Sequence, residues 1–347
     1  MPARSTPHRT PVRPTVQPVM NPAARAITIG NFDGVHAGHR ALLEACRARV
    51  GPTGSVVAMA FDPHPLTRLK PAAAPARLTR FQRRADLLQA AGADEVVRLF
   101  PTDDFLGMSA RAFVESIVRD HKPALFVEGE DFHFGRGREG STQTLATLGR
   151  EFGFEVEVID AVEVDLLDQH LVRASSSLVR WLLSQGRVGD AARVLGRPHR
   201  VEGRVVRGDR LGRTIGYPTL NITTDVMTPA DGIYAGSATL PDGRVFPTAV
   251  SLGTRPTFDG LDRRLEAYLI GAPRDHTGAI MGLDEYGWEV SIDFLAFLRD
   301  QVKFDGIEPL VAQIERDVER TLDWTNRSAR QSLAPTAHSQ PTEPASA

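Results

Sequence analysis

The chain is poor in several things that would have assigned it quickly. It has one cysteine, Cys46, among 347 residues. A single thiol forms no internal disulfide, and no zinc site can rest on paired thiolates. Cys46 sits in a helix-like pattern, as a small core residue would. No apolar run reaches the roughly 18 residues that suggest a membrane span. Net charge is only −2, which leaves no basic footprint for DNA or RNA. The G-x-x-x-x-G-K-S/T pattern is missing, so a P-loop is excluded. Acidic residues are missing from Met1 to Arg25, a stretch rich in Pro, Arg, Thr and Ala. Its prolines forbid the amphipathic helix of a transit peptide, and it lacks the apolar core of a signal peptide. Residues 1–24 therefore read as a disordered tail, with Met20 an alternative start. Residues 326–347, rich in Ser, Ala, Pro and Thr, read as a second tail. The expectation is a cytoplasmic enzyme that binds neither nucleic acid nor membrane. A homo-oligomer is left open.

Between the tails there is enough chain for two domains of ordinary size. From Ala26 to Asp160 apolar strands alternate with helical patterns. Strands are expected at 26–30, 55–61, 95–100, 124–128 and 154–159, and helices at 39–49, 79–91, 109–120 and 142–152. That alternation predicts an α/β domain with a parallel sheet covered by helices. Ligands in such sheets bind beyond the carboxyl ends of the strands. Two short helices, 176–185 and 188–195, each end at a glycine, Gly186 and Gly196. From His199 to Arg299 the period changes to short strands split by Gly, Pro and Asp-Gly turns, with Pro241-Asp242-Gly243 a hairpin signal. This predicts a small antiparallel β-barrel. A last helix, 306–322, places Val311, Ile314, Val318 and Leu322 on one stripe.

The decade Gly30 to His39 reads GNFDGVHAGH. It follows the apolar run Ala26–Ile29 and precedes a helix-like pattern. Strand, glycine-bearing turn and helix start together form an anion site, with Gly30, Phe32 and Asp33 at its entrance. His36 and His39 stand three apart with Gly38 between them, and the glycine allows close backbone approach. Two imidazoles at a helix start can donate to phosphate oxygens and steady the charge that builds in transfer. A second anion-holding pair is Ser176 and Arg180, one helical turn apart at a helix start. A literal GxGxxG lies at Gly135, Gly137 and Gly140, with Asp160 twenty residues on. It starts seven residues after its strand, and Arg136 and Arg138 fill its gaps. A dinucleotide-binding turn needs neither.

In the second half, Gly203 to Asn221 is dense in glycine and base. Gly208 and Gly212 let backbone N–H groups face phosphate. Thr219 and Asn221 stand two apart, on one side of an extended chain. They supply neutral oxygens of the kind Mg²⁺ accepts when phosphates bring the negative charge. Glu266 lies in the strand pattern Leu265–Leu269. It is either a solvent-facing strand residue or a base for a hydroxyl nucleophile.

HxGH resembles the signature of adenylyl- and cytidylyltransferases. GNFDGVHAGH, FDPHP, GEDFHFG and SSSLVR, in this order, resemble the N-terminal module of bacterial bifunctional riboflavin kinase/FAD synthetases. GRVVRGDRLGRTIGYPTLN, DGIYAG, SLGTRPTF and Glu266 resemble their riboflavin kinase module. The resemblance covers about residues 26–322. It implies a Rossmann-like nucleotidyltransferase domain at 25–197, including the helical segment 175–197. A six-stranded antiparallel barrel with a C-terminal helix would follow at 198–323. It implies ATP, riboflavin, FMN and FAD as substrates and products, and Mg²⁺ as the divalent cation. It implies that His36 and His39 handle ATP phosphates and that Asp131, Ser176 and Arg180 complete that pocket. In the barrel it implies that Thr219 and Asn221 bind Mg²⁺ and that Glu266 is the base. The chain departs from the family's pattern at Glu128, usually apolar, and at Ser141, usually Asp. After Glu266 an unusual loop, 271–283, replaces a short Asp-Phe segment. The alternative it raises is an FMN adenylyltransferase with an impaired kinase domain. A third reading is a flavin- or nucleotide-binding regulator.

Overall fold

The computed structural model describes residues 24–208, 211–257, 260–276 and 278–333. Of the expected tails, 1–24 and 326–347, residues 1–23 and 334–347 lie outside them. By internal contacts the chain falls into two compact units. One takes in the chain to Gly30, Leu42–Ala60 and Gln89–Asp160. The other takes in Asn31–Ala41, Phe61–Leu88 and the chain from Ala161.

The first unit is built on a sheet of five strands: β1 (Arg25–Gly30), β2 (Ser55–Phe61), β3 (Glu95–Leu99), β4 (Leu125–Gly129) and Glu155–Ile159. Their order is β3-β2-β1-β4 and then Glu155–Ile159. β1 runs parallel to β2 along its whole length and parallel to β4 at Ala26 and Ile27. Strand order reverses at β1, the place where open α/β sheets leave a crevice. Ala26, Ile27, Val56 to Ala60 and Leu125 to Val127 are fully buried, so both faces are covered and the strands read as unbroken apolar runs. Helix Ala110–His121 is capped by Ser109 Oγ, which accepts the Ala112 N–H at 3.2 Å. Helix Thr142–Phe152 is capped by Ser141 Oγ from Thr144 N–H at 3.4 Å. A serine does there what the usual aspartate would do. Gly135 and Gly137 lie around a short 3-10 turn, Arg136–Arg138, flanked by two-residue strands. A side chain at Gly135 would meet the Ala110 backbone at 2.7 Å. Gly135 serves helix packing, Gly137 takes its positive φ of 64° in open space, and neither belongs to a dinucleotide turn.

The second unit carries helices Ser176–Ser184 and Val188–Leu195, the first capped by Ser175 Oγ at 3.1 Å from Leu178 N–H. A short hairpin, Glu163–Asp165 with Leu171–Arg173, precedes them and has too few residues to show a period. The chain then forms a closed antiparallel barrel. Its order is His199–Val206, Leu220–Thr223, Gly260–Leu269, Val245–Thr257, Gly232–Thr239 and Glu289–Arg299. Burial alternates from Glu289 to Phe297, where Val290, Ile292, Phe294 and Ala296 point into the core. The last helix runs Ile307–Leu333, well past the expected end at 322, and takes in residues 326–333. Its deepest residues are Asp317 and Thr321, beside the apolar stripe rather than on it. Asp317 is admitted because Arg299 reaches it with two nitrogens, at 3.1 and 2.7 Å. No helix among the described residues is long and apolar enough to cross a membrane.

Glu128 is the odd residue of β4. It is 1% exposed, and its Oε1 accepts the Ile29 N–H of β1 at 2.9 Å. This bond falls beyond the two residues where β1 and β4 pair. A side chain therefore closes the gap that the backbone ladder leaves, which an apolar residue could not do. Burial raises its carboxyl well above the usual range, so the folded chain holds it neutral. Unfolded, it ionises near 4.5, so its support for the fold is complete below that pH and is lost as pH rises. Glu128→Gln keeps the acceptor and removes the ionisation. Urea unfolding at pH 8 is expected to show the variant more stable than the parent, with the gap closing at pH 4.5. A variant less stable at pH 8 would contradict this.

Candidate active site

The loop after β1 is held in a costly shape. Phe32, Gly34 and Val35 have φ of 48°, 83° and 42°. For a β-branched Val35 this is a true outlier, and such residues cost about 1–3 kcal/mol each. Asp33 offsets that cost. Its carboxylate accepts from Leu78 N–H at 2.9 Å, Thr79 N–H at 3.0 Å, Thr79 Oγ1 at 3.1 Å and Arg180 at 2.5 Å. Ser176 Oγ donates to the Asp33 carbonyl at 2.7 Å. Arg197 donates to the carbonyls of Gly34 at 2.6 Å and Val35 at 3.1 Å. Arg40 donates to Val35 and Leu195 carbonyls. Residues Arg77 and Arg80, which flank Leu78 and Thr79, pair with Asp225 at 2.8 Å each, and Arg80 also pairs with Glu289 at 2.8 Å.

The two histidines stack with ring centroids 3.6 Å apart, and Phe32 meets His39 edge-on at 5.1 Å. A Cβ at Gly38 would press on the His36 ring at 3.1 Å, which is why glycine stands there. The His36 N–H donates to His39 Nδ1 at 3.3 Å. His39 therefore carries its proton on Nε2. His36 Nδ1 is buried and has no hydrogen-bond partner. Burial, then Arg40, Arg180 and Arg197, lowers His36 to about 4. Burial, His36, Arg84 and Arg40 push His39 well below the usual range. Both rings are thus neutral N–H donors at neutral pH. The same cations favour an incoming polyphosphate.

Phe32 and Asp33 are buried, and Gly30 ends β1. Ser176 and Arg180 reach the loop, and their described bonds brace it: Arg180 joins Asp33 and the Ala76 carbonyl. Asp131 belongs to the first unit, in the turn after β4 closed by Phe132 N–H to Gly129 O at 3.0 Å. Sequence reading did not pick out Arg40, Arg84 and Arg197. Arg84 ties the ends of β1 and β2 through the Asn31 and Phe61 carbonyls at 3.0 and 2.8 Å. Scattered arginines carry no motif, so only the fold could assemble them. His64 lies in FDPHP at the end of β2. It follows the cis Asp62–Pro63 bond, and burial followed by Arg180 lowers its pKa.

The barrel gathers a second cluster. Asn221 lies opposite Glu266 across the ladder, and Thr219 Oγ1 is 3.5 Å from Glu266 Oε2. Any Cβ at Gly208 would collide with the Asn221 amide, and one at Gly212 with the Tyr217 carbonyl. These glycines let the segment close on PTLN. A narrow cavity of about 20 Å³ is bounded by Gly208, Gly212, Thr219, Asn221, Arg213 and Arg274. The unusual loop is docked against it: Ala279 and Ile280 are buried, and Arg274 bridges Ile280.

A parallel sheet leading into a paired-histidine loop, followed by a closed barrel with a hydroxyl–amide–carboxylate cluster, defines a two-module transferase. The first half matches the FAD synthetase family over residues 19–171, and the second matches the riboflavin kinase family over 195–325. The chain belongs to the bifunctional riboflavin kinase/FMN adenylyltransferase family. A relative of that name from Escherichia coli K12 is 35% identical over 84% of this chain and 90% of its own length. One from Pseudomonas fluorescens is 36% identical over 90% of this chain and 94% of its own. A crystal structure described as a macrolide-efflux protein from Streptococcus pneumoniae superposes with TM-score 0.75 at 28% identity, over 88% of this chain and 96% of that one.

Two measurements check this geometry. His36 by NMR should stay neutral down to about pH 5, because its midpoint lies near 4. A midpoint near 6.5 would contradict its burial. Unfolded, the ring takes up its proton near 6.5, so the fold loses on the order of 3 kcal/mol as pH falls through that interval. Separately, Asp33→Asn leaves Arg180 without its countercharge and should lower unfolding free energy by about 3 kcal/mol.

Proposed function

We propose that each activity resides in the half that carries its motif: adenylyl transfer with residues 25–197, phosphoryl transfer with 198–323. In the barrel the ribityl 5′-hydroxyl of riboflavin attacks the γ-phosphorus of ATP. FMN forms, and ADP leaves. In the other half an FMN phosphate oxygen attacks the α-phosphorus of a second ATP. FAD forms, and pyrophosphate leaves. The alternative of a single activity is not favoured, since both family descriptions match.

Glu266 takes the hydroxyl proton as the γ-phosphoryl group moves. The observation that carries this is its register opposite Asn221, within reach of Thr219. A hydroxyl, an amide oxygen and one carboxylate suit a hard cation whose charge the phosphates balance. Thr219 and Asn221 would hold Mg²⁺, which when bound neutralises charge on the phosphate oxygens. Gly208 and Gly212 turn backbone toward the phosphates. His36 and His39, neutral and preset, donate to the oxygens that gain charge at the α-phosphorus and on the leaving pyrophosphate. Gly38 gives them room. Gly30, Phe32, Asp33, Ser176 and Arg180 keep the loop in shape, and Asp131 is given to the nucleotide by the family resemblance alone. No covalent intermediate is needed, so rate comes from positioning and preset dipoles. The cytoplasm, where both substrates occur, is the proposed location.

ADP release with riboflavin and pyrophosphate release with FMN report the two steps separately. His39→Ala is expected to abolish pyrophosphate release and leave ADP release intact. Asn221→Ala, or Glu266→Gln, should do the reverse. Either substitution stopping both activities in folded protein would refute the division.

A further inference from the structure

The loop 271–283 is the part of the barrel that follows no family pattern, yet its described residues are well seated. Asp275 N–H donates to Ala279 O at 3.0 Å, Met281 N–H to Pro273 O at 2.9 Å, and Arg274 bridges Ile280. Ile280 is 2% exposed and packs into the main core. This small turn presents Arg274 to the cavity beside Thr219 and Asn221. One Arg274 nitrogen donates to the Pro218 carbonyl at 2.9 Å, directly before Thr219. Another donates to Gly278 O at 2.9 Å.

The two arginines on that cavity differ in their countercharge. Arg213 is paired with Glu285 at 2.7 Å. Among the described residues Arg274 has only carbonyl partners. A guanidinium carries five donors, so two carbonyls leave it unsaturated and its charge unbalanced. Burial, together with the nearby Arg213, lowers its pKa, as expected for a cation enclosed without an anion. An anion arriving beside Thr219 would supply the missing charge, and planar guanidinium suits phosphate oxygens. The cavity as it stands has room for about one water. A polyphosphate therefore has to displace the Arg274 contacts, exchanging carbonyl oxygens for its own.

We propose that Arg274 is a positioning residue of the kinase half that exchanges its Pro218 and Gly278 carbonyl partners for a phosphate oxygen of bound ATP. This rests on the reading that places Mg-ATP in this cavity.

The test uses the full chain and follows ADP release with riboflavin. Arg274→Ala should raise KM for ATP by about tenfold or more, the worth of a charge-assisted hydrogen bond. Arg274→Lys should recover part of that loss. Inhibition by adenosine, which has the base and ribose but no phosphate, should be unchanged. Pyrophosphate release with FMN should also be unchanged. The inference is overturned if KM for ATP stays within twofold or falls, or if adenosine inhibition weakens in step with it. Falling KM would show that the loop only obstructs entry; weakened adenosine would show a structural prop. Asn221→Ala run in parallel separates the two levels. If it stops ADP release while Arg274→Ala changes nothing, this inference alone fails. If neither variant affects ADP release, the placement of ATP fails with it.

Discussion

One carboxylate holds the histidine loop together. Asp33 collects donors from the backbone of Leu78 and Thr79, from a hydroxyl and from Arg180. Each is a donor to a charged acceptor in a place with little water, where such bonds are strongest. The left-handed residues Phe32 and Val35 persist because this hub and the Arg197 and Arg40 clamps overdetermine them. The backbone and ring positions that follow, including the stacked imidazoles, inherit that rigidity. Preset geometry of this kind is what electrostatic catalysis requires, since dipoles that need not reorient lower the barrier most.

The two halves gather polar groups of different kinds. In the histidine loop the donors are neutral rings inside a cationic surround. In the barrel the gathered groups are an amide, a hydroxyl and a carboxylate, beside glycines that let the chain close on them. Neutral donors within a positive field keep the site from titrating near physiological pH, because the ring that would switch has already been denied its proton.

Much of this could be read from the residues in order. The three central sheet strands were legible because both faces are buried and their apolar runs are unbroken, while the edge strands Glu95–Leu99 and Glu155–Ile159 carry charges on an exposed side. The barrel was legible because its short strands are split by Gly, Pro and Asp-Gly turns, such as the one between Gly232–Thr239 and Val245–Thr257. The spacing of the histidine pair and of PTLN was legible as proximity: the rings stack, and Thr219 lies beside Glu266. Three things were not legible. The last helix buries Asp317 and Thr321, and no periodicity rule expects a carboxylate to be admitted by an arginine from a distant strand. Arg40, Arg84 and Arg197 converge only after folding. The parts given to Ser176 and Arg180 were also incomplete, since a residue suited to phosphate is equally suited to an aspartate.

The segment Ala76–Arg80 serves two masters. Its amides anchor the histidine loop, while its guanidiniums grip carboxylates that belong to the barrel. Splitting the gene at the module border would take both carboxylates from Arg80 and leave Arg77 only Asp62, 3.9 Å away. A free-standing adenylylating fragment would then depend on ionic strength and added anions in a way the intact polypeptide does not.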